Sequence, residues 1–222
     1  MADALNPEQP KASRPLLAFT ALTILACAVL VCCLDRPLAL LLHRYAAGAV
    51  PFFAMGTAAI DTAYDAAMCN FWHLPVLWWA LVLGYVAGRW LLRQRRATVL
   101  LVALLTHLSS EVSANVLKVL AHRERPAFIA GHDLGGSFHS AGPHWDSFPS
   151  SHTAIYWSLF WPLAVAFPRW RLPLLVVPVF IALGRLVLSA HYLSDVWAAT
   201  WLAVAWAALW RWVLSRVDKK AA

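Results

Sequence analysis

Residues 97–126, ATVLLVALLTHLSSEVSANVLKVLAHRERP, decide the fold, because a bilayer-length segment here carries side chains that a bilayer does not tolerate. A helix that crosses a bilayer needs about 20 mostly apolar residues, and 97–117 meets that length. It carries the polar residues His107, Ser109, Ser110, Glu111, Ser113 and Asn115, among others. Polar groups at membrane depth are costly, so the pattern predicts a helix with one face turned to protein or water.

The composition of the whole chain is typical of a membrane protein. Of its 222 residues, 61% are hydrophobic and 13% are charged. Soluble domains carry about 25% charged residues, roughly twice this share. The composition therefore indicates a membrane protein before any motif is considered.

Five other apolar runs meet or approach bilayer length, and with 97–117 they predict six spans. These runs are 16–34, 74–92, 153–168, 173–190 and 196–214. Residues 45–60 are also apolar, but two glycines and a proline interrupt them, which predicts an interfacial or re-entrant piece. The predicted fold class is all-α, a polytopic membrane bundle of six transmembrane helices. Residues 1–222 would form a single domain, with 1–15 as a cytoplasmic tail.

The distribution of Lys and Arg orients this bundle. Cytoplasmic loops carry an excess of both residues. With the N-terminus in the cytoplasm, most of the 18 Lys and Arg, including RQRRA at 93–97, fall in cytoplasmic segments. A seventh span at 45–60 would place 93–97 outside. We therefore expect both termini in the cytoplasm, and the net charge of +7 reflects topology rather than nucleic-acid binding.

The first of three polar clusters lies at the C-terminal end of residues 97–126, on the outer side of the predicted bundle. Lys118 and Arg125 are two helical turns apart, so they share a face if the helix continues. Pro126 would end that helix. Taken alone, the cluster is typical of basic side chains that extend from a helix end to the membrane surface. Glu111 lies on the same face and either pairs with Lys118 or satisfies a polar helix face.

A second cluster, Pro149-Ser150-Ser151-His152, directly precedes an apolar run. Serine is a good N-cap, and the free N–H groups at a helix N-terminus bind anions. The simplest interpretation is a helix cap. A histidine in the first turn adds a group that can donate a proton.

A third cluster, GRLVLSAHYLSD, occupies residues 184–195. His191 and Asp195 stand at i and i+4, so the carboxylate can accept from one ring nitrogen and leave the other free to attack. Arg185 precedes His191 by six residues. The alternative is an ion pair at a helix end. Together the three clusters supply cations for a phosphate, two histidines, and an aspartate to orient one of them.

This combination resembles the type-2 phosphatidate phosphatases, a superfamily that shares its site with the vanadium haloperoxidases. The superfamily pattern is Lys, six residues, Arg-Pro; then Pro-Ser-Gly-His; then Ser-Arg, five residues, His, three residues, Asp. The chain matches the first block fully at 118–126. It has Ser151 where the second block usually has Gly, and Gly184 where the third usually has Ser. The motifs cover a core of about 97–200.

The resemblance implies a role for each matching residue. His191 would attack phosphorus and form a phosphohistidine, and Asp195 would orient it. His152 would protonate the leaving oxygen and then activate water. The residues implied to hold the phosphoryl group are Lys118, Arg125, Arg185 and Ser150, with a secondary contribution from Arg123. The resemblance implies no metal and no other cofactor.

The two departures from the pattern raise one structural question. Gly184 lacks a hydroxyl that could bind phosphate, and the Ser151 hydroxyl could replace it. If position 151 requires a positive φ, however, Ser151 would be strained.

The resemblance also implies a function. We expect a lipid phosphate or pyrophosphate phosphatase in the bacterial inner membrane, with its site facing the periplasm and undecaprenyl pyrophosphate favoured as substrate. The alternatives are a lipid A phosphatase, a polyprenyl-dependent lipid A phosphotransferase, a haloperoxidase and a non-enzymatic transporter. The expected partners are a lipid phosphate and the membrane, without nucleic acid. The oligomeric state stays open.

Overall fold

The computed structural model of the chain is built from helices. The residues that it describes are 13–68, 76–131, 138–139 and 144–220. Their α-helices are α1 (Ser13–Val29), α2 (Asp35–Tyr45), α3 (Val50–Met68), α4 (Val76–Val86), α5 (Thr98–Ala121), α6 (Ser151–Ala166), α7 (Arg171–Val187) and α8 (Leu193–Lys220). All regular elements in these ranges are helical, which confirms the all-α prediction. Of the predicted tail 1–15, residues 1–12 lie outside the described ranges.

Helix α6 lies at the centre of the bundle and packs against α5, α7 and α8, and α5 also packs against α8. Small side chains allow these helices to approach closely. Ala114, Ala154 and Ala199 are fully buried in one cluster that joins α5, α6 and α8. Small residues at helix contacts are typical of membrane bundles, where apolar surface alone does not drive association.

The polar face of α5 is turned toward protein, as the opening stretch predicts. The indole nitrogens of Trp206 and Trp210, both on α8, donate to Ser113 Oγ at 3.1 Å and Ser109 Oγ at 3.0 Å. His107 is fully buried among other polar side chains. Neighbouring helices therefore satisfy Ser109, Ser113 and His107, which a lipid environment would leave unpaired. The hydroxyls of Thr106 and Ser110 are buried without a partner among the described residues.

Glu111 does not pair with Lys118. Its carboxylate lies 3.9 Å from His107 Nε2, whereas Lys118 Nζ donates to the backbone carbonyl of Asp146. Glu111 therefore lies beside His107 on the polar face of α5, with its side chain 40% exposed, which is the structural alternative.

Among the described residues, four helical segments are long and apolar enough to cross a membrane. They are Leu16–Tyr45, Thr98–Ala121, Pro168–Val187 and Leu193–Val217, with Val76–Leu91 as a shorter apolar helix. Large apolar side chains such as Leu22, Leu172 and Val176 are exposed on the outside of the bundle. Such a surface suits contact with lipid. The count of six spans and the orientation of the termini stay predictions.

Two segments differ from the sequence prediction. The run 16–34 does not end at its last apolar residue, because a five-residue π-helical turn, Leu30–Leu34, leads directly into α2. Pro51 and Gly56 do not break the segment 45–60, because residues 50–60 belong to α3, whereas Gly48 stands in the short turn Ala47–Ala49 that separates α2 from α3. Pro51 stands in the first turn of α3, where its missing N–H is not needed. Gly56 provides space, because a Cβ there would lie 2.4 Å from Phe180 Cζ.

The packing brings three helix ends and one loop to the same end of the bundle. These are the C-terminal end of α5, the N-terminal end of α6 and the turn between α7 and α8, together with residues 144–150. The three polar clusters of the sequence therefore meet at one place.

Candidate active site

His191 lies in the turn between α7 and α8 and is only 2% exposed. Its Nδ1 lies 2.7 Å from the backbone carbonyl of Ser147 and donates to it. Burial lowers the pKa of His191 to about 4, and the partial offset from Asp195 does not restore it. The imidazole is therefore neutral at pH 7, with its lone pair on Nε2, which is the state that a nucleophile requires.

Asp195 supports His191 in a less direct way than the i, i+4 spacing predicts. Its Oδ2 lies 3.6 Å from His191 Nδ1, beyond hydrogen-bond distance. The same oxygen accepts from Ser147 Oγ at 2.6 Å and from the backbone N–H of Tyr192 at 2.8 Å. Asp195 therefore positions Ser147, whose carbonyl orients His191. It also places a negative charge 3.6 Å from His191 Nδ1.

Arg123 lies behind Asp195 and is 1% exposed. Its guanidinium donates to Asp195 Oδ1 at 2.5 Å and to Asp35 Oδ2 at 2.7 Å. The ring of Tyr192 lies 4.2 Å from its Cζ. Ser194 completes this network through hydrogen bonds to Arg123 and Asp35. The resemblance implied a secondary phosphate role for Arg123, whereas its position makes it the counter-ion of two buried carboxylates.

Three cations, Lys118, Arg125 and Arg185, form a cluster beside the histidines. The charges of Lys118 and Arg185 act on both His152 and His191. Arg185 Nε is buried without a hydrogen-bond partner among the described residues. A buried donor without a partner is costly, so this nitrogen is suited to an incoming anion.

Asp146 engages the other two cations of this cluster. Arg125 donates to both of its carboxylate oxygens, through Nε at 2.7 Å and Nη2 at 2.6 Å. Lys118 Nζ donates to its backbone carbonyl. Burial tends to raise the pKa of Asp146, but the hydrogen bonds and charge of Arg125 hold that pKa below its usual value. A phosphoryl group that binds Arg125 bidentately must therefore compete with the Asp146 carboxylate.

The stretch 149–152 caps α6. Ser150 is the N-cap, and its Oγ accepts from the backbone N–H of Thr153 at 3.4 Å and from Thr153 Oγ1 at 3.0 Å. Ser151 begins α6 and is absent from the non-glycine residues with positive φ in the described chain, so it is not strained. The Nε2 of His152 lies 3.2 Å from Asp61 Oδ2.

Thr57 occupies the space beside Gly184. A Cβ at position 184 would lie 3.0 Å from Thr57 Oγ1 and 3.3 Å from Phe53 Cδ1. The Thr57 hydroxyl is buried without a hydrogen-bond partner among the described residues. Position 184 therefore lacks the serine that the superfamily usually has there, and the Thr57 hydroxyl of α3 lies beside the space that this serine would occupy. The proposal that Ser151 replaces the missing hydroxyl stays a prediction, and Thr57 is a second candidate.

Restoring the usual residue at position 184 should destabilise the protein. We expect Gly184→Ser to lower the midpoint of thermal unfolding in detergent, because over-packing costs about 1–3 kcal/mol. Gly184→Ser with Thr57→Ala should recover part of the loss, giving a coupling in a double-mutant cycle. Gly48→Ser is the matched control, because nothing lies within 4 Å of a Cβ there. Wild-type stability of Gly184→Ser would contradict this packing argument.

Sequence reasoning missed several residues of this site besides Thr57. They are Asp35, Asp61, Asp146, Ser147 and Ser194. Asp35 and Asp61 had a usable signal, because an acidic residue within or at the end of an apolar run is a functional candidate by default. The backbone carbonyl of Ser147 had none, because a carbonyl acceptor is independent of residue type.

Comparison with known proteins identifies the family of the chain. A family model described as the PAP2 superfamily matches residues 96–218, more than half of the chain. The chain belongs to the PAP2 superfamily. The PAP2 match contains all three motif clusters, whereas Asp35, Thr57 and Asp61 lie outside it.

Two curated relatives of this PAP2 chain carry the same name. A lipid A 1-phosphatase of Rhizobium etli is 36% identical over 90 residues, covering 39% of this chain and 38% of the relative. A lipid A 1-phosphatase of Rhizobium johnstonii is 36% identical over 93 residues, covering 39% of this chain and 36% of the relative. The chain thus covers less than two fifths of either relative's length. No solved structure matches it.

Proposed function

We propose that this PAP2 chain is a membrane phosphatase that releases phosphate from a lipid through a phosphohistidine on His191. The observation that carries the proposal is the state of His191. Its imidazole is buried and neutral, its Nδ1–H is held by Ser147, and its surroundings include the charges of Lys118 and Arg185. A nucleophile with a free lone pair beside cations is suited to attack on an anionic phosphoryl group.

The first half-reaction transfers the phosphoryl group to the enzyme. The Nε2 lone pair of His191 forms a bond to phosphorus while the bond to the lipid oxygen breaks. The electron pair of that bond stays on the lipid oxygen, which takes a proton from His152. The cation cluster balances the charge on the phosphoryl oxygens.

The second half-reaction restores the enzyme. Water attacks phosphorus and gives a proton to His152. The electron pair of the P–N bond returns to His191 Nε2, and inorganic phosphate leaves. The sum is lipid phosphate plus water to lipid alcohol plus phosphate, with His152 as acid and then base.

The first substrate we propose is a lipid A 1-phosphate. The names of the two curated relatives support it, and so does a site at one end of a bundle with an apolar outer surface. Such a position lets acyl chains stay in the bilayer while the phosphate reaches the cation cluster. Undecaprenyl pyrophosphate, the substrate favoured on sequence grounds, is the second candidate.

We also propose that the site faces the periplasm from the inner membrane. Arg96 and Arg211 line one cavity of about 360 Å³, which includes residues of the last turns of α6 and α8. His191 precedes the first turn of α8, so the arginines belong to the opposite end of the bundle. An excess of basic residues marks the cytoplasmic end under the positive-inside rule.

A substrate panel tests the function. Purified protein in detergent with EDTA is assayed for phosphate release from lipid A 1-phosphate, undecaprenyl pyrophosphate, phosphatidate and phosphatidylglycerophosphate. We expect release from lipid A 1-phosphate and less than about twofold change with EDTA, since the cation cluster would supply the charge that a metal supplies elsewhere.

Each other outcome selects against part of the proposal. Release from undecaprenyl pyrophosphate alone would identify the second candidate. Transfer of phosphate from a polyprenyl donor to lipid A would show a phosphotransferase, and bromide oxidation by peroxide a haloperoxidase. Absence of release from every lipid would contradict the phosphatase proposal and favour a non-enzymatic role.

A further inference from the structure

Helix α3, which lies outside the PAP2 match at 96–218, directs one face toward the site. Thr57 and Asp61 stand at i and i+4 and therefore share that face. Thr57 contacts the space beside Gly184, and Asp61 contacts His152. Asp65, one turn further along α3, is exposed.

The carboxylate of Asp61 bridges two residues of α6. Its Oδ2 lies 3.2 Å from His152 Nε2, and its Oδ1 accepts from Tyr156 Oη at 2.7 Å. His152 and Tyr156 are themselves one helical turn apart. Tyr156 is buried at 3% exposure, so it fixes the carboxylate that in turn fixes the imidazole.

The charges around His152 give this carboxylate a chemical task. The groups that act on His152 are Arg185 on α7, Lys118 on α5 and Asp61 on α3. Both cations disfavour a protonated imidazole. A general acid must nevertheless carry its proton when the leaving oxygen departs, and Asp61 is the anion of this set.

We propose that Asp61 is the positioning residue of His152, and that α3 is thereby part of the active site. Asp61 accepts from Nε2–H throughout the reaction, so Nδ1 exchanges the catalytic proton. In the first half-reaction Nδ1–H passes to the lipid oxygen as the P–O bond breaks and the P–N bond to His191 forms. In the second, Nδ1 accepts a proton from water. The inference rests on the phosphatase function proposed above.

The test compares two leaving groups in the purified full-length chain. An alkoxide leaving group, as in phosphatidate, needs a proton, whereas the p-nitrophenolate of p-nitrophenyl phosphate does not. We expect Asp61→Asn to lower kcat/KM about 100-fold on phosphatidate, within the range of general acid catalysis. The fall in kcat/KM on p-nitrophenyl phosphate should stay below about fivefold. The alkaline limb of the phosphatidate pH profile should move to lower pH.

The control variants separate this role from a structural one. Asp65→Asn introduces the same change on the same helix at an exposed position and should leave both substrates and the pH profile unchanged. Tyr156→Phe releases the carboxylate without removing it. It should lower the ratio of kcat/KM on phosphatidate to kcat/KM on p-nitrophenyl phosphate, as Asp61→Asn does, but by a smaller factor. This measurement remains possible even if Asp61→Asn does not fold.

The outcomes distinguish this inference from the function on which it rests. Failure of the wild-type chain to hydrolyse p-nitrophenyl phosphate and every lipid of the panel would contradict the phosphatase function. If the wild-type chain hydrolyses lipid A 1-phosphate and not phosphatidate, lipid A 1-phosphate replaces phosphatidate in the comparison, because its sugar oxygen also needs a proton to leave. A wild-type chain that is active, with Asp61→Asn or Tyr156→Phe losing equally on both substrates or on neither, would overturn the role of Asp61 alone.

Discussion

His191→Ala should lower kcat/KM for phosphate release by at least about 10⁴-fold, the scale observed when a catalytic nucleophile is removed. The reason is that His191 is buried beside the cation cluster with its Nδ1–H held by Ser147. The other buried histidine of the described residues, His107, lies within α5 and has both ring nitrogens engaged, by Tyr64 Oη and Ser158 Oγ. The variant should still fold, since a smaller side chain leaves the hydrogen bonds of Asp195 to Ser147 and Tyr192 intact.

A trapping experiment checks this prediction directly. With a substrate labelled in its phosphate, wild-type protein quenched in alkali should carry a phosphoramidate, which is stable in base and labile in acid. His191→Ala should carry none. His43→Ala, at an exposed position on α2, is the matched control and should retain both label and turnover. Turnover by His191→Ala above a tenth of wild type would refute the phosphohistidine mechanism.

Arg123→Ala should be the most destabilising single change in the site. It leaves Asp35 and Asp195, both at most 2% exposed, without their shared counter-ion. Removing one partner of a buried ion pair costs about 3–5 kcal/mol, because the remaining charge is buried without compensation. We therefore expect a large fall in the temperature at which purified protein aggregates in detergent, together with loss of activity.

Two other variants make the Arg123 result interpretable. Arg169→Ala removes an exposed arginine and should leave the aggregation temperature unchanged. Asp35→Asn keeps the pair between Arg123 and Asp195 and should cost less than Arg123→Ala. Wild-type thermal stability of Arg123→Ala would show that the network contributes little, contrary to its burial.

Much of this architecture can be predicted from the sequence because the signals are local. Apolar length identifies the long segments, and the polar face of 97–117 requires protein neighbours wherever it packs. The spacing of the three motif clusters identifies His152, His191 and the cation cluster. The turn after α7 and the N-cap of α6 are local structures, so the residues that they carry can be recognised from the nearby sequence alone.

Local sequence signals failed where a glycine makes room for a neighbouring helix and does not break its own helix. The prediction that Pro51 and Gly56 break the segment 45–60 was wrong, whereas its interfacial or re-entrant position stays a prediction. Gly56 is a glycine because Phe180, on α7, occupies the space that a side chain would need. Nothing within α3 itself indicates that neighbour.

By itself, the sequence determined the helical membrane class and the residues of the three clusters, which the fold brings to one end of the bundle. Only the tertiary structure decided the partner of each charged group. Asp35 pairs with Arg123 across 88 residues, Asp61 accepts from Tyr156 across 95, and Ser147 rather than Asp195 accepts from His191. The physical reason is that a buried charge or donor must find a partner in its own packing environment, and that environment is set by helices far apart in sequence.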